Sequence, residues 1–317
     1  MLPTRHRAWQ ITKALFGLAV IAGVSRYFYR TLSSPDFQLD PEIIRWELLL
    51  VAALLYLGCH MLWGTFWWQL LRQQDQAVPW PRAIATYFIS QFGKYVPGKA
   101  WVIVVRVAML GRGRQSRRAV AVTGIFETLA SMAAGALLGV AALPAAGLDL
   151  PPEMGSLSLF ALVAGIPIAV AVLLKIAQKV IASRSAPGAP PLPVPSFLLL
   201  SQGVLQACLG WCLLALSLQL TIAAIRGESV EFSGEAFLAN LAAVALSYVA
   251  GFVVLVAPGG LGVREWVLAF IVAKRWSGPT ALADAMVVAV ALRLIWTAAE
   301  VLLAGGLWLA ARRRRHD

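Results

Sequence analysis

The chain has 317 residues, of which 60% are hydrophobic and 13% charged, and a net charge of +12 at pH 7. A mean hydropathy of +0.75 excludes an ordinary soluble protein. The basic residues stand at the ends of apolar runs and no recognition module is present, so membrane orientation accounts for the charge and no nucleic-acid partner is expected.

Arg5-His6-Arg7 followed by Ala14 to Val24 has the basic start and short apolar centre of a signal peptide. No persuasive small-residue cleavage site follows, and the run at 11–29 is read as a retained first helix. Further apolar runs lie at 46–71, 119–143, 157–181, 196–224, 236–257 and 280–311. Runs of this kind reach the ~20 residues that carry a helix across a ~30 Å hydrocarbon core, so the expected fold is all-α and polytopic rather than a barrel. Three shorter runs, 83–92, 100–110 and 263–273, fall below the ~17 residues a crossing needs and are candidates for half-helices or re-entrant segments. Cys59, Cys208 and Cys212 all lie inside apolar runs and read as small buried hydrophobes.

Charge between the runs sets the orientation. Arg72, Arg82, Arg112, Arg114, Arg117 and Arg118 cluster between the second and third long runs, and Arg312 to Arg315 close the chain. Both regions are expected in the cytoplasm. The connection 144–156 carries Asp149 and Glu153 but no Lys or Arg, which suits the outer side. Lys175, Lys179 and Arg184 mark the return, before a Pro-rich loop from Pro187 to Pro195. Seven simple crossings would strand the last arginines outside. Either 263–273 crosses as a short helix, giving eight spans, or 236–273 re-enters from outside, giving six. Both solutions put each terminus in the cytoplasm, and the second is compatible with an inverted repeat. No connection is long enough to bury a core of its own, so residues 1–317 are read as one transmembrane domain.

Two breaks carry charge into apolar sequence: Gly93-Lys94-Tyr95-Val96-Pro97-Gly98-Lys99, and Pro258-Gly259-Gly260-Leu261-Gly262-Val263-Arg264-Glu265. Broken backbone survives in a bilayer only where protein or a polar cavity covers it. At the first break, Pro97-Gly98 stops one helix and lets another start, whose free N–H groups would face the same place as Lys94 and Lys99. That combination describes an anion site, with Tyr95 and Trp101 at headgroup level. At the second, three glycines allow positive φ and close backbone approach, although the spacing is not that of a nucleotide loop. Glu265 at the following helix start can balance a cation or take up a proton, and Arg264 can either serve the site or snorkel to the interface. Arg106, Glu127, Arg293 and Glu300 are further charges inside apolar runs, two of each sign. His60 is alone in its run, and Trp63, Trp67, Trp68 and Trp211 read as belt or packing residues without a site role.

The first break with Arg106 downstream, Phe126-Glu127-Thr128, the run 258–265 and Arg293 occur in this order, and together they resemble the flippase-like transmembrane family that includes the membrane region of lysylphosphatidylglycerol synthases. The resemblance spans about 45–305, and its most specific part is Pro-Gly-Gly-Leu-Gly-Val-Arg-Glu. It implies a bacterial or archaeal cytoplasmic-membrane protein that moves, or helps to move, a lipid between leaflets. Larger members carry a cytoplasmic aminoacyl-transferase domain, and the sequence here ends at Asp317, so synthesis of the aminoacylated lipid is not expected. Those members tend to have Glu-Arg where this chain has Glu127-Thr128, which brings polyprenyl-phosphate sugars and glycolipids level with phosphatidylglycerol derivatives as cargo.

The expected function is translocation of a phosphate-bearing lipid, without a cofactor or metal. Lys94, Lys99, Arg106 and Arg293 would hold the anion, while Glu127 and Glu265 pair with these cations in the empty state. No ATP-binding motif is present, so movement would run downhill or be coupled to protons or membrane potential, with Glu265 as the proton-coupled group. An intramembrane transferase acting on a polyprenyl phosphate is the enzymatic alternative, against which no His-Glu-x-x-His, Asp-x-Asp or nucleophile-base motif can be found. A non-transporting subunit that docks a cytoplasmic glycosyltransferase or lipid-modifying enzyme through the basic clusters is the third reading.

Overall fold

The computed structural model describes residues 26, 42–95, 101–111, 115–148, 193–254 and 260–313. The expected helices at 11–29 and 157–181 lie outside them, as do Pro97, Gly98, Lys99, Pro258 and Gly259 of the two breaks. Among the described residues every regular element is helical: α1 (Trp46–Gln73), α2 (Trp80–Ser90), a 3-10 turn (Gln91–Tyr95), α3 (Trp101–Leu110), α4 (Arg117–Ala142) with a 3-10 extension (Leu143–Ala146), α5 (Phe197–Arg226), α6 (Gly234–Val253), α7 (Val263–Ala273) and α8 (Ala281–Arg313).

Local sequence explains the helix starts. Ser116, Ser196 and Ser233 precede α4, α5 and α6, and each hydroxyl accepts from the backbone N–H three residues on, at 3.3, 3.2 and 3.1 Å. These serines satisfy donors that a helix start leaves open. Helices α1, α4, α5, α6 and α8 are long and apolar enough to cross a membrane, which makes the chain a multi-pass membrane protein. By contrast α2, α3 and α7 have 11, 10 and 11 residues. At ~1.5 Å per residue they cover about half of a ~30 Å core. They flank the two breaks. Helix α2 packs on α3 across the first, and α6 packs on α7 across the second, so the described helices on either side of each break form a packed pair, or hairpin.

The hairpins lean on a scaffold in which α1 packs along α5, α4 along α6, and α8 against α7, α1 and α2. Polar side chains tie the scaffold together, as expected where lipid supplies no hydrophobic drive between helices. Ser217 on α5 donates to the Ala52 carbonyl of α1 at 2.8 Å and accepts from the Trp296 indole of α8 at 2.9 Å. The tryptophans expected as belt or packing residues are packing residues. Trp63, Trp67 and Trp211 are buried, and their indole N–H groups donate to the Ala207 carbonyl, the Thr123 hydroxyl and the Ser131 carbonyl. An indole can seat its N–H at a membrane interface or on a neighbouring helix, and here the neighbouring helix supplies the acceptor.

Candidate functional site

The flanks of the two breaks converge on one cavity of about 550 Å³. From the first hairpin come Lys94, Val102, Ile103, Val104, Arg106 and Val107; from the second, Tyr248, Gly251, Phe252 and Arg264. Helix α4 adds an apolar wall with Ile125, Leu129 and Met132 around Glu127, and α1 adds His60 and Trp63. The volume falls within the ~300–1,000 Å³ of ligand pockets, and the composition is theirs too: apolar walls with a few convergent polar groups.

Close backbone packing shapes both bends. A Cβ on Gly93 would stand 2.5 Å from the Val102 nitrogen and 2.6 Å from the Trp101 carbonyl carbon, so the 3-10 turn lies directly on the start of α3. At the second bend Gly260 and Gly262 have φ of 70° and 82°, and a Cβ on Gly260 would approach the Gly251 Cα to 2.9 Å. Such conformations and distances favour glycine.

Four charged constellations surround the cavity. Arg106 and Glu127 pair at 2.9 Å with both side chains buried. The Arg106 Nε donates to the Ser90 hydroxyl at 3.2 Å, and its guanidinium lies 4.6 Å from the Trp67 ring and 4.4 Å from the Tyr87 ring. Tyr87 donates to the other Glu127 oxygen at 3.2 Å. This cation is held from several sides, and Trp67, to which no site role was assigned, is one of its supports.

The second constellation joins elements far apart in sequence. The Lys94 ammonium contacts Glu300 Oε1 directly, the Tyr56 hydroxyl donates to the same oxygen, and Tyr95 donates to Oε2 at 3.0 Å. His60 Nε2 lies 3.9 Å from Glu300 Oε1. Tyr95 therefore does not serve as a headgroup-level belt residue: its hydroxyl also bonds to Thr297 on α8 at 3.1 Å. Nor is His60 alone. It stacks obliquely with Tyr56 at 4.3 Å and faces both Glu300 and the cavity.

The third constellation is Glu265 with Arg293, 3.6 Å apart. Glu265 Oε2 also accepts from the Gly262 N–H at 2.6 Å and so caps α7. Arg293 is absent from the lining of the large cavity; it borders a separate space of about 20 Å³ with Ser247, Arg264 and Trp296. Arg293, expected to help hold the anion, thus stands beside the carboxylate that caps α7 and not on the lining of the cavity of about 550 Å³.

Arg264 is the fourth. Its guanidinium carbon sits 3.4 Å from the Tyr248 ring centroid, and its Nε and Nη1 are buried without a hydrogen-bond partner among the described residues. A Cβ on Gly251 would meet the Arg264 Cγ at 2.4 Å, so the absent side chain there makes room for this arginine. Arg264 thus turns inward over an aromatic face instead of snorkelling outward.

Of the residues singled out from sequence, Lys94, Arg106, Glu127 and Arg264 line the same cavity, with Tyr95 behind Lys94. Glu265, Gly260 and Gly262 shape the second bend, and Arg293 stands behind it. Pro97, Gly98, Lys99, Pro258 and Gly259 lie outside the described residues. Tyr56, His60, Tyr87 and Tyr248 were missed, since each reads locally as one polar or aromatic residue in an apolar helix.

No curated protein matches the sequence. The family model described as the lysylphosphatidylglycerol synthase TM region matches residues 14–305, a stretch that holds both hairpins and every constellation around the cavity. By that match the chain belongs to the family of the lysylphosphatidylglycerol synthase transmembrane region.

Proposed function

We propose that this protein translocates a lipid with an anionic headgroup across the bacterial cytoplasmic membrane, as a single transmembrane domain over residues 1–317. The observation that carries the reading is a cavity with mostly apolar walls into which Arg264 turns, its Nε and Nη1 lacking hydrogen-bond partners among the described residues. A buried guanidinium left so is costly unless a ligand completes it, and its planar fork matches the oxygens of a phosphate. Lys94 is the second cation for the headgroup. Arg106 and Arg293, each held by a carboxylate, set the shape of the site rather than contact the lipid. Val104 and Ile125 line the cavity and are also 47% and 45% exposed, which supports a sideways opening through which acyl or prenyl tails stay in the bilayer.

In this reading the short helices α2, α3 and α7 are re-entrant or half-spanning elements beside the two breaks, arranged as in the inverted repeat of a carrier, with both termini in the cytoplasm. The cargo is moved without covalent change. Binding biases a two-state carrier through its differential affinity for the two openings.

The test is leaflet exchange of fluorescent phosphatidylglycerol and of a polyprenyl-phosphate sugar in liposomes containing the purified chain. Wild-type protein is expected to exchange at least one of them, and Arg264→Gln to slow that exchange at least tenfold. If neither lipid moves while the protein is folded, or if Arg264→Gln exchanges at the wild-type rate, the reading is wrong. Conversion of either lipid to a new species would favour a transferase.

A further inference from the structure

The Glu300 carboxylate is 1% exposed, yet its partners arrive from two other elements. Tyr56 and His60 face it from α1, Lys94 and Tyr95 from the 3-10 turn, and Thr297 joins the Tyr95 hydroxyl from its own helix. The nearest charges on α7 are Arg264 and Glu265, the latter engaged with Arg293. Helix α2 adds the Tyr87 ring beside His60, and α5 adds the hydroxyl of Ser217 to the Trp296 indole. Lys94 is the cation in contact with Glu300, and Lys94 also borders the cavity proposed to take the headgroup.

One ammonium cannot fully neutralise two anions. When a headgroup phosphate draws Lys94 away, Glu300 keeps the Tyr56 and Tyr95 hydroxyls, which donate hydrogen bonds but carry no charge. An unpaired carboxylate in this interior is several kcal/mol out of balance and relieves it by taking up a proton. His60 provides the route. The Tyr56 carbonyl can only accept, so the His60 Nδ1, 3.1 Å from it, carries the proton of the neutral ring. Nε2 is then the bare nitrogen, 3.9 Å from Glu300, on a residue that lines the cavity.

We propose that the Lys94–Glu300 pair couples headgroup capture to proton uptake: as Lys94 turns to the lipid anion, Glu300 accepts a proton relayed through His60. The proton leaves cavity water, bonds to His60 Nε2 and passes to Glu300 Oε1; the imidazole returns to its neutral form, and no other bond is made or broken. Release of the headgroup lets Lys94 return and expels the proton. Glu265, the carboxylate expected from sequence to carry this proton, is engaged by the Gly262 N–H and Arg293, none of which lines the cavity, so Glu300 takes the role. The inference rests on the lipid-binding reading above.

The experiment titrates the purified full-length chain in weakly buffered detergent with phosphatidylglycerol, following protons with an indicator dye and bound lipid by native mass spectrometry. Wild-type protein is expected to take up about one proton per bound lipid, as linkage requires of one coupled carboxylate. Glu300→Gln should bind lipid with proton uptake cut at least tenfold, while Glu228→Gln, which alters an exposed carboxylate away from the cavity, keeps it. Lipid binding by wild-type protein without proton uptake overturns the coupling and leaves the lipid reading standing, and so does undiminished uptake by Glu300→Gln. Absence of lipid binding defeats both. Should Glu300→Gln not fold, the wild-type stoichiometry still decides, and His60→Gln should keep that stoichiometry while slowing the uptake.

Discussion

Arg106 donates to Glu127 at 2.9 Å while its guanidinium lies 4.6 Å from the Trp67 ring and 4.4 Å from the Tyr87 ring, so a residue of the short α3 is bolted to α1, α2 and α4 at once. A pair this buried is weak evidence for net stability, but breaking it is expensive. Glu127→Gln and Arg106→Met should each lower unfolding stability by about 3–5 kcal/mol, because each leaves one charge buried alone. The double variant Arg106→Met/Glu127→Leu should recover most of that loss. Thermal unfolding in detergent, read by tryptophan fluorescence, checks this. If the double variant folds and still exchanges lipid, the pair braces the site; if it folds and exchange vanishes, Arg106 is a headgroup ligand.

Trp67 separates the parts of that brace. Trp67→Phe keeps a ring under the guanidinium but removes the 3.1 Å bond to Thr123. Interhelical hydrogen bonds in membranes are worth about 0.6 kcal/mol on average, so a loss near 1 kcal/mol is expected. Trp67→Ala empties the position as well and should cost about 3–5 kcal/mol. Equal losses in the two variants would mean that the ring itself contributes nothing to holding Arg106.

The first bend makes a steric prediction. Gly93→Ala would bring a methyl within 2.5 Å of the Val102 nitrogen, and the obstacle is backbone, which cannot rotate out of the way. Overpacking of this kind costs about 1–3 kcal/mol. The expected result is a protein that folds but whose α2–α3 hairpin opens more readily, seen as faster amide exchange in α3 than in α5. Unchanged exchange in α3 would show that the bend accommodates the methyl.

Much of the fold was legible because a membrane reduces the problem to run length and interruption. The runs at 46–71, 119–143, 196–224, 236–257 and 280–311 correspond to α1, α4, α5, α6 and α8 within a few residues, and 263–273 is α7. The first break was less clear: the run 83–92 divides into α2 and a 3-10 turn, because the chain tightens where Gly93 meets α3. Buried charge was legible residue by residue, since every ionisable side chain in an apolar run needs an explanation. Pairing was another matter. Lys94 and Glu300 are 206 positions apart, and nothing local marks one for the other. For the same reason His60 looked isolated: its neighbours on one side come from α2 and the 3-10 turn and on the other from α8. Arg264 looked like a snorkelling residue because the space opened by Gly251 belongs to the adjacent helix.

Arg264 and Tyr248 give the sharpest distinction between charge and geometry. The guanidinium carbon lies 3.4 Å from the phenol ring centroid, a close approach of a planar cation that a lysine ammonium on a flexible stem cannot reproduce. Arg264→Lys retains the positive charge in the cavity and gives up the planar fork and the ring contact. If the headgroup site needs only a cation, phosphatidylglycerol binding should be unchanged. If it needs a guanidinium held in one orientation, binding should weaken about tenfold, equivalent to about 1.4 kcal/mol. We expect the tenfold loss, with Tyr248→Leu giving a smaller one of about 0.5–1 kcal/mol from the missing cation–π contact. Lipid affinities of the three proteins by native mass spectrometry decide it, and an Arg264→Lys affinity equal to wild type would reduce Arg264 to a point charge.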